Sequence, residues 1–410
     1  MNLKYIEFAN YKSFSERQKI ELKPITLLIG KNSSGKSSIC KLFTLLENSL
    51  SGEIDEPLLL KNKGVELGED FDNLFFENNP AGISLDLKMS FENNIELEIN
   101  LLKADSRYGL QILSWSYKNG VTDVDIDLKL QGANYIDQKT QDLQDLYECK
   151  FKGFIPIKIV EKQSQRDLLK EIDLPKIDVD YIGPFRILPE RYFYLTGQTN
   201  FKNTGVTGKN AYAMLGISKL QDTSLHKEVG GWYRDSFDGW ELQVDDKHKK
   251  PLIQILLSKN NANINITDVG QGMHQVLPLV VRAHVNNKEN SLIVVEQPEL
   301  HLHPIAHGDI AELFAKSAKK NNQVFIIETH SENVLLRLRK LVVENDFGFT
   351  SDDLVIYWIE DAEFKGKELR KITVDEQGVL DDWPQGVFNE SMREILEMQK
   401  AIRRKEEQAK

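Results

Sequence analysis

The octapeptide Gly30-Lys-Asn-Ser-Ser-Gly-Lys-Ser37 limits what this chain can fold into more than any other stretch. It fits G-x-x-x-x-G-K-[ST], the phosphate loop of nucleotide-binding proteins. Ile25, Leu27, Leu28 and Ile29 before it read as a buried strand, and Ile39, Leu42, Phe43, Leu45 and Leu46 after it recur at helical spacing. Strand, glycine turn and helix start are what phosphate binding needs. The backbone N–H groups of Lys31, Asn32, Ser33, Ser34, Gly35 and Ser38 and the positive end of the helix are then expected to converge on one anion. Lys36 is expected to reach the β- and γ-phosphates, and the Ser37 hydroxyl to ligate Mg²⁺.

Such a loop needs an acidic partner at the end of a neighbouring apolar strand to hold the metal. Glu296, directly after Leu292-Ile-Val-Val295, fits that place. A second apolar strand ends in Glu328-Thr-His330, where a histidine is able to reach a γ-phosphate and where Thr329 and Ser331 are good helix caps. Upstream of both, Asp268-Val-Gly-Gln-Gly-Met-His-Gln275 is a glycine turn leading into an apolar helix. Its N–H groups are also suited to an anion.

The 410 residues allow a large core in two or three domains, and 40% hydrophobic with 28% charged residues is ordinary for a globular protein. No run approaches a membrane span and the N-terminus lacks a signal-peptide core. Cys40 and Cys149 form no metal-ligand pattern, so a reducing cytoplasm is the expected compartment. A net charge of −11, from 52 basic and 63 acidic residues, does not advertise nucleic acid, although it says nothing of a local basic groove.

Along the chain, alternation of Ile83, Leu85, Leu87 and Met89, then Ile95, Leu97 and Ile99, then Val124, Ile126 and Leu128 predicts an antiparallel meander. Residues 138–176 are charged and weakly patterned, and no sustained heptad predicts a long coiled coil. Asn10-Tyr-Lys-Ser-Phe14 reads as a polar connection, Tyr181 to Arg191 as a constrained loop, and Asn203 to Gly208 as a flexible Gly/Thr stretch. In the last third, strand, helix, strand, helix implies a parallel sheet covered by helices. Two strands, a Trp383-Pro-Gln-Gly turn and a charged C-terminal helix are expected to follow. The divisions are drawn at 1–80 (first half of a nucleotide-binding core), 81–260 (meander and insertion lobe), 261–348 (second half of the core) and 349–410 (terminal strands and helix).

The motif order resembles the ABC-type ATPase heads, and within them the RecF, SMC and OLD-like bacterial ATPases. Phe8-Ala-Asn-Tyr-Lys-Ser-Phe14, with Lys12, is similar to the start of those heads. Asp268-Val-Gly-Gln-Gly272, Glu296-Gln-Pro-Glu-Leu-His-Leu-His-Pro304 and Glu328-Thr-His-Ser-Glu332 are similar to the OLD-like branch, and Tyr181-Ile-Gly-Pro-Phe-Arg186 and Trp383-Pro-Gln-Gly-Val-Phe388 resemble a prokaryotic subfamily of it. The resemblance implies an α/β P-loop NTPase fold with a mixed β-sheet core, a β meander and a helical or irregular insertion lobe. It implies ATP and Mg²⁺ as cofactors and a head-to-head homodimer with ATP between protomers. Gly270, Gln271 and Gly272 of one subunit would face the γ-phosphate held by the other, His330 would match the switch histidine, and Leu300 to His303 the loop coupling the two sites. A family-level expectation adds a separate effector, a nuclease or toxin, in defence against phage, with DNA a further possible partner.

One position departs from that pattern. ABC-type heads place a water-polarising glutamate directly after the metal-binding acid, and here Gln297 stands there. A glutamine orients water but accepts no proton, so the expectation is slow turnover, a long-lived ATP-bound dimer, Glu299 as substitute base and acceleration by Gln297→Glu. Among rival readings, a non-hydrolysing ATP-dependent scaffold is not separated from a slow ATPase. A metallonuclease would use His301, His303 and His307 near Glu296 and Glu299. A fused TOPRIM nuclease is not expected, since Asp352-Asp353 and Asp381-Asp382 read as turn residues.

Overall fold

The computed structural model describes residues 3–79, 83–103, 109–128, 135–137, 146–161, 167–247, 251–285, 291–382 and 397–400. The Trp383–Phe388 segment and nearly all of the expected C-terminal helix lie outside them.

The central sheet has six strands in the order Asp178–Ile182, Ser291–Glu296, Val324–Glu328, Ile25–Gly30, Leu354–Asp361 and Lys367–Ile372. The first five are parallel, and only Lys367–Ile372 runs antiparallel to its neighbour. Alternate residues feed two cores, because successive side chains leave a strand on opposite faces. Leu28, Leu292, Val294 and Ile326 pack towards the helix Lys36–Ser49 on one face. Ile25, Leu27, Ile293, Val295, Phe325 and Ile327 pack on the other, towards helices Leu277–His284, Pro304–Asn321 and Glu332–Glu344. Burial on both faces is why these strands read as unbroken apolar runs.

The meander is real and larger than its alternation suggests: nine antiparallel strands, ending with Leu3–Ala9 and Gln18–Glu21 at one edge. These two N-terminal strands therefore belong to the meander sheet. Asp178–Ile182, placed in the insertion lobe by sequence, is instead the edge strand of the central sheet. The sheets thus cut across the divisions at 80/81 and 260/261, because strand pairing is decided by buried faces that come together late in the chain. The loop helix lies between the two sheets, with ten of its residues buried.

Two local readings also change. Tyr11 and Phe14 are fully buried, so the Asn10–Phe14 connection is a packed turn rather than a polar one. Asn203 to Gly208 is tied down: Thr204 is fully buried and donates through N and Oγ1 to Asp180, and Gly183 N donates to the Val206 carbonyl. A third lobe packs helices Asn210–Leu220 and Leu225–Ser236 against a small sheet of Phe193–Tyr194, Leu252–Lys259, Glu241–Asp245 and Ala262–Asn265.

Candidate functional site

The phosphate loop takes its shape from two glycines. A Cβ on Gly30 would sit 2.8 Å from Ser34 Oγ and 3.0 Å from the Ile359 carbonyl oxygen. Gly35 has φ +102° in the left-handed region and caps the loop helix, with the buried Phe14 ring beneath it. The loop encloses a cavity of about 300 Å³ lined by Ser13, Asn32, Ser33, Ser34, Gly35, Lys36, Ser37, Ser38, Gln297, Glu328 and His330. Lys36 is 4% exposed and donates to the carbonyls of Gly30 at 2.9 Å and Lys31 at 2.7 Å, so the ammonium is held inside the loop. Burial lowers its pKa against the pull of Glu328 and Glu296.

The acidic partner is where sequence and structure part. The strand next to the loop strand is Val324–Glu328, and Ser291–Glu296 lies one place further out. The Ser37 hydroxyl therefore donates to Glu328 Oε2 at 2.8 Å, not to Glu296. Register sets Glu296 directly beside Glu328, and with Cys40 they form a group whose ligand atoms all lie within 4.8 Å. Glu296 Oε1 is buried without a hydrogen-bond partner. Two carboxylates, one of them with an orphaned buried oxygen, and a hydroxyl suit a hard oxygen-seeking cation such as Mg²⁺, for which the Cys40 thiol is the least suited donor.

Burial, and next the neighbouring Glu328, push the Glu296 carboxyl up to about 7, with the Tyr181 hydroxyl beside it. This has a measurable consequence with divalent cations chelated. The folded chain keeps the Glu296 proton up to about pH 7, and an unperturbed carboxyl loses it near 4.5. Between those values the folded state binds more protons, so this group's stabilisation is full below 4.5 and is lost as pH rises through 7. The melting temperature in chelator is expected to fall from pH 5 to pH 8, and Glu296→Gln to flatten that fall. An equal fall in Glu296→Gln would assign the effect to another group.

Gln297 adopts φ +46°, and its backbone is fixed from two sides. Its N–H donates to the Glu328 carbonyl at 2.8 Å, and its carbonyl accepts from Arg186 Nη2 at 3.1 Å. Arg186 also donates to the Glu296 carbonyl at 2.8 Å, and burial holds the guanidinium down to about 10. Glu299 does not line the cavity: its Oε1 accepts the His330 N–H at 2.7 Å, which makes it an anchor for the His330 loop. His330 is exposed and lines the cavity, its pKa lowered by burial and by Lys36. Lys12 is turned away, its ammonium donating to the Leu67 carbonyl.

Gly270, Gln271 and Gly272 do not line this cavity. Gly270 and Gln271 are exposed at the start of the short helix Gln271–Gln275, and no atom lies within 4 Å of a Cβ built on Gly270. Gly272 is the packed member, where a Cβ would meet the His301 carbonyl oxygen at 2.6 Å. The histidines are not brought together on a metal. His301 and His303 are exposed, His303 caps the helix Pro304–Asn321, and His307 bonds Ser331 Oγ and the Leu302 carbonyl. Among the described residues the sole His/Cys/Asp/Glu group close enough for an ion is Cys40, Glu296 and Glu328. Sequence reasoning missed Glu328 and Arg186 as site residues. Glu328 ends an apolar strand just as Glu296 does, which was the available signal.

Comparison with known proteins agrees with this geometry. The family model of the AAA ATPase domain matches residues 1–204 and 218–335. The "Old nuclease" of Escherichia phage P2 is 22% identical over 362 residues, covering 82% of this chain, and the chain spans 57% of that protein's length. A crystal structure of an Smc head bound to the C-winged helix domain of ScpA superposes with TM-score 0.51 at 11% identity, covering 92% of this chain and 99% of that one. An SMC head domain from Thermotoga maritima matches with TM-score 0.43 at 15% identity, over 92% and 100% of the two chains. The phosphate loop, the paired strand-end carboxylates and the SMC-head-like fold belong together: the chain is a member of the AAA ATPase domain family.

Proposed function

We propose that the chain is an ATP-gated dimeric switch that hydrolyses slowly and controls a separate effector protein. The observation that carries this is the separation of the glycine signature from its own phosphate cavity. Gly270 and Gln271 are exposed, over open space, while among the described residues the cavity is walled by Ser13, the loop, Gln297, Glu328 and His330. A second copy would bring its signature N–H groups to the γ-phosphate, and ATP would then favour the closed pair by its differential affinity. Bound Mg²⁺, held by Ser37 with Glu328 and Glu296, would neutralise phosphate charge. The residues of the chain itself would cradle the phosphates (Gly30 to Ser38), orient water (Gln297) and sense the γ-phosphate (His330). Gln297 in place of a carboxylate supports turnover of the order of one per second or less, below the median for enzymes. The proposed effector in prokaryotic defence is a family-level reading of the resemblance to OLD-like proteins, and the net charge of −11 weighs against DNA as the main ligand.

Gly270 offers a clean test. Its φ of −60° suits any residue, it is exposed and nothing lies within 4 Å of its Cβ, so Gly270→Arg starts its side chain without strain or Cβ contact. The variant is expected to melt like the wild type, to bind ATP as a monomer, and to lose the ATP-dependent mass increase that the wild type shows with Mg²⁺. No mass change in the wild type, alone or with products of neighbouring genes, sinks the dimer switch.

A further inference from the structure

The negative charge missing at Gln297 is present one strand away. Glu328 ends the strand adjacent to the phosphate-loop strand and lines the cavity together with Ser37 and Gln297. Its Oε2 accepts the Ser37 hydroxyl at 2.8 Å, and Gln297, whose backbone N–H donates to the Glu328 carbonyl, lines the same cavity. The Gln297 backbone is pinned by Arg186 and by the Glu328 carbonyl, so its side chain starts from a fixed origin beside Glu328. An amide has two ends. With its NH₂ turned to the Glu328 carboxylate, the amide oxygen would be the end left to accept from water.

We infer that Glu328 is the positioning carboxylate of this ATPase, holding Gln297 and Ser37 in working orientation across two strands and so supplying the charge that position 297 lacks. The inference rests on the ATPase reading of the cavity and deepens it. It also reverses the expectation that Gln297→Glu alone accelerates turnover. That substitution sets a carboxylate against Glu328 and removes the donor that Glu328 holds, and like charges sharing a site oppose joint ionisation. Glu299 is not required, because it is engaged with the His330 N–H.

The test is an exchange of the two side chains in the full chain: Glu328→Gln, Gln297→Glu and the double variant. Glu328→Gln is expected to keep its melting temperature and ATP affinity, to lose roughly 10–100-fold in kcat at unchanged KM, and to bind Mn²⁺ in the ADP complex about tenfold more weakly by EPR, the range for removing a partner that orients a metal ligand. Gln297→Glu alone is expected to give no acceleration, and the double variant to recover at least about tenfold in kcat over Glu328→Gln. The inference is overturned by wild-type kcat and Mn²⁺ affinity in Glu328→Gln, by loss of ATP binding in that variant, or by a double variant no faster than it. Wild-type protein that binds no MgATP overturns the ATPase reading itself, and this inference with it.

Discussion

Lys36→Ala is expected to reduce ATP turnover by at least about 100-fold, the scale of removing one preorganised donor from developing negative charge. The loss should exceed that if Lys36 also carries ground-state binding, since no other cation lines the cavity among the described residues. In the structure the ammonium already sits inside the loop on the carbonyls of Gly30 and Lys31. It needs only a short excursion to meet phosphate, and leaving two carbonyls for a phosphate with full negative charge favours the move. Those two bonds also mean that the substitution frees loop carbonyls, so a modest drop in melting temperature is expected beside the kinetic loss. Lys36→Arg should not rescue, because a planar fork does not fit where a compact ammonium is buried at 4% exposure. Equilibrium binding of a fluorescent ATP analogue and phosphate release check both statements. Wild-type affinity and turnover in Lys36→Ala would remove the phosphate loop from the mechanism.

What could be read from sequence followed the range of the forces involved. The phosphate loop is local: eight residues specify a turn, a cap and a helix start, so Gly30, Gly35, Lys36 and Ser37 stand where their spacing puts them. The strands of the last third were legible because burial on both faces leaves unbroken apolar runs such as Ser291–Glu296 and Val324–Glu328. The order of those strands was not legible. Both end in glutamate, and only the topology says that Glu328 is adjacent to the loop strand and that Glu296 is one further out. Tyr11 and Phe14 misled for a similar reason, since their burial depends on a meander strand and a loop helix distant in the chain. Lys12 followed the motif of the N-terminal segment, but its ammonium found a nearer acceptor on Leu67. Glu299 lies outside the cavity lining because its carboxylate accepts the His330 N–H, a contact that no sequence spacing announces.

Arg282→Met is expected to be the most destabilising polar substitution, by about 3–5 kcal/mol, the cost of breaking a buried pair on one side. Arg282 and Asp180 are each 1% exposed and meet at 2.7 Å. Burial pushes Asp180 up and Arg282 down, so each ion depends on the other. Without the guanidinium, Asp180 retains only the N–H and hydroxyl of Thr204, and Ser291 Oγ loses a donor. The damage reaches the site because Asp180 lies on the edge strand beside Tyr181, whose hydroxyl faces Glu296. The strand pairs in register with Ser291–Glu296, so loosening it frees the strand that carries Glu296 and Gln297 on one side. Arg282→Met should therefore lower the urea midpoint and also flatten the pH dependence attributed to Glu296. Asp180→Asn in the same chain removes the stranded charge and should recover a large part of the loss, since replacing both partners of a buried pair costs far less than removing one. An unfolding free energy from urea titration within about 1 kcal/mol of wild type for Arg282→Met, well under the one-sided cost, would mean that water or a shifted strand solvates Asp180. The edge strand would then not be the rigid wall on which Glu296 rests.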